Sequence, residues 1–311
     1  NQRGALLILN GILYVPYGGH YGDCGDYHGW VVGVPLDNPK APLAWATRAS
    51  AGGIWAPGGL ASDGTSVFAA TGNTMSGPAG AFPAFSSPAT WGDGEAVLRL
   101  PPDLNFAAAN KDYFAAQDWQ TFDNMDLDIG GSGVVLFSAP GATPSELAIA
   151  LGKDGSAYLL NRDNLGAMGG QIGSPLAVSG EQIMQAAAAY NTPTGTFVAM
   201  RARANSCPSG SGQITAMKVS AASPPALSVA WCAGGTSTGS PMVTTTDGTN
   251  ESIVWYVAGT KLVGYNGETG AEVFNGGTGS DVTSANKWQT PIAAKGRIFF
   301  ASSNQLHAFT L

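Results

Sequence analysis

Between Ala150 and Leu160 the chain reads as a strand, a Lys153-Asp154-Gly155 turn and a second strand, followed by the polar turn Asn161-Arg162-Asp163-Asn164. Glycine supplies the positive φ of a two-residue hairpin, and the small and apolar residues on either side continue the pairing. The plan recurs along the chain: a small-residue or proline opening, a β-branched or aromatic strand, a glycine turn, then a strand ending in Trp or Phe. A repeated strand unit of this size cannot bury its faces alone and gains by stacking on its neighbours, which is how propellers and solenoids are built.

Openings of this kind stand at Trp55-Ala56-Pro57, Gly131-Ser132-Gly133, Gly239-Ser240-Pro241 and Gln289-Thr290-Pro291. Second strands are read over residues 11–15, 66–70, 252–257 and 296–301, and third strands over 260–265 and 305–309. Outer strands close the units at 43–45, 229–231 and 272–274. The count is about six units, within the usual range for propellers. The last unit has no outer strand, so either the missing strand is expected upstream of Asn1, in a parent of about seven or eight blades, or the ring closes in an unusual way. The expected fold class is all-β, a β-propeller of four-stranded antiparallel blades, with residues 1–311 as one domain that lacks N-terminal blades.

Composition supports the strands. Forty-four glycines, 19 prolines and only 11% charged residues in 311 describe short strands joined by tight turns rather than solvated helices. A formal net charge of −7 opposes the basic face that nucleic acid or anionic lipid requires. No apolar run approaches the roughly 20 residues of a membrane-spanning helix. The Gly-, Ser-, Thr- and Ala-rich, lysine-poor surface points to an extracytoplasmic protein, secreted or periplasmic. Cys24, Cys207 and Cys232 form no Cys-x-x-Cys motif, which argues against a zinc ribbon or c-type haem attachment. Cys207 and Cys232 flank what reads as one hairpin, where a disulfide and two buried thiols are equally good readings.

Two stretches break the rhythm. Residues 73–94 read as a long loop, and residues 104–127, with Tyr113, Phe114, Trp119 and Phe122, as a second connection with helical character. Long loops on a rigid scaffold are where sites tend to lie.

At blade level the chain resembles the pyrroloquinoline quinone (PQQ) dehydrogenase superfamily, and the terminal aromatic of each unit is similar to the residue that docks one quinoprotein blade on the next. The resemblance sharpens at three places. Phe68-Ala69-Ala70-Thr71-Gly72-Asn73 is similar to the strand-end Thr-Gly-Asn of PQQ alcohol dehydrogenases, which implies Asn73 as a calcium ligand. Asp126-Leu127-Asp128-Ile129-Gly130-Gly131 resembles the segment whose aspartate sits by the metal and takes the substrate hydroxyl proton, which implies Asp128 as general base. Lys153 falls where the family places a lysine or arginine reaching the quinone oxygens. The resemblance thus implies PQQ and Ca²⁺ as cofactors and a small alcohol or sugar as substrate.

A fourth segment departs from the pattern. In the alcohol dehydrogenases a glycine-rich stretch supplies a metal-binding glutamate near a pair of adjacent cysteines. The matching stretch here, residues 17–30, has neither, and His20 stands near the glutamate position. His20, Cys24 and His28 carry metal-capable side chains on this loop, with Asp23 and Asp26 beside them and Trp30 at its end, but their spacing fits no standard zinc motif. Asp26-Tyr27-His28-Gly29-Trp30 resembles a hallmark of secreted bacterial quinoprotein-like propellers of unassigned activity.

Two functions follow. One is a PQQ-dependent dehydrogenase using Asn73, Asp128 and Lys153. The other is a non-catalytic propeller that engages a protein or glycan through the aromatics Tyr21, Tyr27, Trp30, Phe82, Phe85 and Trp91. The enzyme needs Asn73, Asp128 and Lys153 to converge; the scaffold leaves them scattered and salt-bridged or capping.

Overall fold

A computed structural model describes residues 1–19, 25–77, 86–235, 239–276, 288–302 and 304–310. Among the described residues six sheets have three or more strands, and the chain divides into two compact units. The fold class is an all-β propeller.

In the unit built mainly from Asn1–Leu136 and Glu146–Pro175, the first sheet is an antiparallel meander of Leu7–Leu9, Ile12–Tyr17, Trp30–Pro35 and Leu43–Ala46. The second has five strands in the order Ala167–Met168, Tyr113–Ala115, Ala96–Leu100, Val67–Thr71 and Ala61–Ser62. Tyr113 and Phe114 therefore lie in a strand of this sheet, not in the connection expected over residues 104–127; pairing with Ala96–Leu100 buries Phe114 completely. The helical character there is confined to one helix, Trp119–Met125.

The central hairpin, Glu146–Leu151 with Ser156–Asn161, pairs as expected, with Leu151 opposite Ala157. Its turn is longer than two residues. Gly155 N–H closes on Gly152 O at 3.1 Å, and Gly155 takes φ +78°. Tertiary contacts hold this wider loop: Lys153 N–H donates to Asp128 O at 2.9 Å, while the Asp154 carboxylate accepts from Ser156 N–H and Tyr158 Oη.

Adjacent sheets of this unit pack face to face. Tyr14, Val31 and Trp45 meet Val67, Leu98 and Leu100, while Phe68, Val97 and Phe114 meet Ala148, Tyr158 and Leu160. Both arrays are dense in fully buried apolar side chains, and their burial supplies most of the driving force for the unit.

The other unit, mainly Gln185–Leu311, holds two four-stranded antiparallel sheets and one of three strands. The first is Ala188–Thr192, Gly195–Arg201, Ile214–Val219 and Leu227–Ala233; the second is Met242–Thr244, Ile253–Ala258, Lys261–Asn266 and Glu272–Asn275. The last, Ile292–Ala294, Arg297–Ser302 and Gln305–Thr310, has three strands, as its sequence implied. Trp231 lies in the outer strand Leu227–Ala233, which runs two residues past the end expected from the sequence, and it packs over the turn of the next sheet, its Nε1–H donating to Gly267 O at 2.8 Å. Tyr190 Oη donates to the same carbonyl at 2.7 Å. Cys207 and Cys232 form a disulfide, which settles their pairing.

Candidate functional site

The ends of three segments meet around Gly72 and Asn73. Strand Val67–Thr71 delivers Gly72-Asn73 at its end, and the segment after helix Trp119–Met125 delivers residues 126–128. The central hairpin turn delivers Lys153. Backbone bonds lock the arrangement: Gly72 N–H donates to Gly53 O at 3.1 Å and Gly52 N–H to Asn73 O at 2.6 Å. Gly72 has to be glycine, because a Cβ there would sit 2.0 Å from Asp128 Oδ1.

Asp128, only 3% exposed, accepts Asn73 N–H on Oδ1 at 2.8 Å and the Lys153 ammonium on Oδ2. Lys153 Nζ also donates to Asp126 Oδ1 at 2.7 Å, and Asn73 Nδ2 donates to that same oxygen at 2.8 Å. Asn73, Asp128 and Lys153 thus share one network, with Asp126 as its half-exposed member. The Lys153 ammonium lies 5.3 Å from the centroid of the Trp55 ring. Asn73 Oδ1 is buried and accepts no hydrogen bond.

Behind this network lie more carboxyl groups than charge balance explains. Glu95, fully buried, accepts Ile129 N–H on Oε2 at 2.8 Å while Oε1 has no partner. Its backbone φ is +50°, and that of Asp93 +76°. Arg48 clamps Asp93 through two nitrogens, at 2.9 and 2.7 Å. Such left-handed non-glycine residues persist only where surroundings hold them, and they cluster at functional sites. Burial, reinforced by Asp128 and Asp123, pushes the Glu95 carboxyl well above its ordinary range. Burial also raises Asp128 against the opposing pull of Lys153. Burial works against the Lys153 charge, but Asp128 and Asp126 outweigh it and hold its pKa above the usual lysine value.

Asp123 accepts Thr74 N–H, the Thr74 hydroxyl and the Ser87 hydroxyl, yet burial lifts it to about 6. The folded state therefore binds this proton more tightly than the unfolded chain does. The stabilisation is complete below pH ~4 and is lost as pH rises through about 6, a change of roughly 2–3 kcal/mol. In urea unfolding, the stability of the wild type relative to Asp123→Asn is expected to fall by that amount between pH 4 and 7. A difference that stays flat across this range excludes the shifted carboxyl.

On the glycine-rich loop, His20 and Cys24 lie outside the described residues, as do Tyr21, Asp23, Phe82 and Phe85. His28 Nδ1–H donates to Thr47 O at 2.8 Å, and Trp30, opposite Tyr17, is 42% exposed. Among the described residues no group of three His, Cys, Asp or Glu side chains is arranged to hold a metal ion. Trp91 is tied down rather than presented: it stacks on Tyr113 at 4.5 Å, donates Nε1–H to Gly94 O at 2.7 Å and lies under Arg48. Trp55 was read only as part of the unit opening Trp55-Ala56-Pro57, and Glu95 and Asp123 carry no motif that would pick them out.

No protein-family model matches this sequence, and no curated protein sequence matches it. Solved structures do. Quinohemoprotein alcohol dehydrogenase ADHIIG from Pseudomonas putida aligns with TM-score 0.60 at 13% identity over 96% of this chain and 55% of its own. The quinohemoprotein alcohol dehydrogenase from Comamonas testosteroni gives TM-score 0.57, also at 13% identity, over 96% and 55%. BamB from Moraxella catarrhalis gives 0.52 at 12% identity over 99% and 71%. These likenesses establish the propeller fold, and the chain spans about 55% of the length of the two dehydrogenases.

Proposed function

We propose that the chain carries the site of a PQQ-dependent dehydrogenase acting on an alcohol or sugar. The observation that carries this is the meeting of Asn73, Asp128 and Lys153 in one buried network beside the Trp55 ring. The reading of all 311 residues as one propeller domain belongs to the same proposal.

The residues fit a planar anionic quinone: Trp55 offers a flat aromatic surface and Lys153 a cation at its face. Asn73 Oδ1, buried and without a partner, is an oxygen suited to a hard cation. Asn73 and Asp128 are the residues that would hold such a cation, and both would offer it oxygen donors. When bound, the quinone supplies a two-electron acceptor. Asp128 takes the proton of the substrate hydroxyl. Its raised basicity suits that task near neutral pH. Lys153 holds Asp128 in place and offsets its charge. Asn73 N–H fixes Oδ1 and the Lys153 ammonium holds Oδ2, so the proton goes to a remaining lone pair of this carboxylate.

The Cys207–Cys232 disulfide belongs with an oxidising compartment, and we place the protein outside the cytoplasm, secreted or periplasmic in a bacterial host. No helix among the described residues is long and apolar enough to cross a membrane.

The test is a titration with PQQ and Ca²⁺ followed by quinone absorbance, with dye reduction measured over a panel of alcohols and sugars. Saturable binding is expected in wild type and in Asp128→Asn, with dye reduction at least about 100-fold slower in the variant. Absence of binding at high micromolar PQQ overturns the enzyme. The exposed pair Tyr17 and Trp30 then favours the second reading, a scaffold engaging a protein or glycan.

A further inference from the structure

We propose that Arg201, supported by Arg203, is the centre of an anion-binding site that takes the acidic group, carboxylate or sulfate, of a small ligand. The site stands whether or not a quinone binds. Its first sign is a charge pattern in the sequence. Between Glu181 and Asp247 the chain has no Asp or Glu, and its charged residues there are Arg201, Arg203 and Lys218. This stretch holds the whole sheet from Ala188–Thr192 to Leu227–Ala233, so one sheet of a chain with net charge −7 is cationic. Lys218 lies over the Phe197 ring at 5.3 Å. The two arginines stand together where strand Gly195–Arg201 runs into the loop over residues 202–213.

Three arginines of the chain are half-buried, Arg99, Arg162 and Arg201. Arg99 holds Asp112 at 2.6 Å and Arg162 holds Glu146 at 2.7 Å. Arg201 has no such partner among the described residues. Its Nε is buried and unpaired, and Nη2 donates to the neutral Gln213 Oε1 at 3.3 Å. A guanidinium stripped of water along one edge is costly until an anion meets it. The planar fork has five N–H donors, so the bond to Gln213 leaves others that suit a carboxylate or sulfate. Arg203, exposed two residues on, adds a second positive charge and no acid to cancel it. The backbone that carries both is fixed. Thr215 Oγ1–H donates to Ala202 O at 2.8 Å and Asn205 N–H to Val178 O at 2.8 Å. The Cys207–Cys232 disulfide and the Cys232 N–H bond to Ser209 O, 2.8 Å, tie the rest of the loop to strand Leu227–Ala233. Gly210 and Gly212 let it lie so close that a Cβ on either would overlap Cys232 O or Gly234 O. A loop built this tightly holds its cations in place before a ligand arrives, which lowers the ordering cost of binding.

The test is isothermal titration calorimetry at constant ionic strength with sodium sulfate, D-galacturonate and, as the uncharged counterpart of the latter, D-galactose. The proteins are wild type, Arg201→Gln, Arg201→Lys and Arg203→Ala, each checked for folding by its melting curve. Support is saturable binding of sulfate or galacturonate to wild type, with a dissociation constant about tenfold or more higher in Arg201→Gln and partly restored in Arg201→Lys. The anion that binds more tightly identifies the acidic group. Should Arg201→Gln fail to fold, Arg203→Ala at its exposed position carries the test and is expected to weaken binding about threefold or more. No saturation of wild type by about 50 mM of either anion overturns the site. Binding as tight in the folded variants as in wild type overturns it too, and so does galactose binding as tightly as galacturonate, since the guanidinium charge then plays no part.

Discussion

Trp231→Ala is expected to cost about 3–5 kcal/mol in chemical unfolding, the range for deleting a large buried aromatic. Trp231 is 1% exposed and lies among Tyr190, Ile214, Val254, Tyr256 and Tyr265, so its loss leaves a cavity that rigid neighbouring strands cannot close. The substitution also strips Gly267 O of its indole donor, while Tyr190 Oη remains to satisfy that carbonyl. Trp231→Phe separates the two contributions. It keeps most of the ring volume and should recover more than half of the loss. Gly270→Ala gives a second view of the same contact, because a Cβ there would lie 2.7 Å from the Trp231 ring on a residue with φ +72°. A cost below about 1 kcal/mol for Trp231→Ala would show that the indole does not hold the two sheets together.

The contact also shows what could be read ahead of the structure. A strand ending in Trp231 and a turn rich in Gly and Asn some 35 residues on are local patterns, and each was visible in the repeat. Strand alternation and glycine turns are set by backbone geometry within a few residues, so most strands of the units lie where the sequence places them. The strand Tyr113–Ala115 escaped because its partner sets it: three residues pair with Ala96–Leu100 and would not persist alone. The turn at Lys153 widened for a similar reason, since its amide is taken by Asp128 O.

The site was legible only where residues match a family segment. Asn73, Asp128 and Lys153 were named, but nothing in their spacing states that Lys153 touches Asp128, since the ion pair joins residues 25 apart through separate elements. Glu95 carries no motif. Its importance arises from a left-handed backbone and complete burial, neither of which a glutamate beside a glycine announces.

Lys153→Met is expected to destabilise the protein by about 3–5 kcal/mol at pH 7, because it leaves Asp128 buried without its counter-charge. Asp128 is 5% exposed at the side chain and Lys153 11%, so water cannot readily replace the ammonium. The sign of the pH dependence follows. Without Lys153 the folded-state pKa of Asp128 rises further above its unfolded value, so the variant recovers stability as pH falls toward ~4 and loses it as pH rises. Adding Asp128→Asn should recover most of the loss at pH 7, since a neutral side chain keeps the acceptor for Asn73 N–H and no longer needs a cation. The double-mutant cycle should therefore return a coupling of about 2 kcal/mol or more. A coupling near zero would mean that solvent screens Asp128, and the proton acceptor proposed for the reaction would then be an ordinary carboxylate. A large coupling shows a carboxylate kept charged in a dry site by one lysine, at a cost that a well-packed apolar pair would avoid. That expense is explained if the charge is used, and the dye-reduction assay on Asp128→Asn measures that use, since this variant keeps the acceptor for Asn73 N–H and removes the carboxylate.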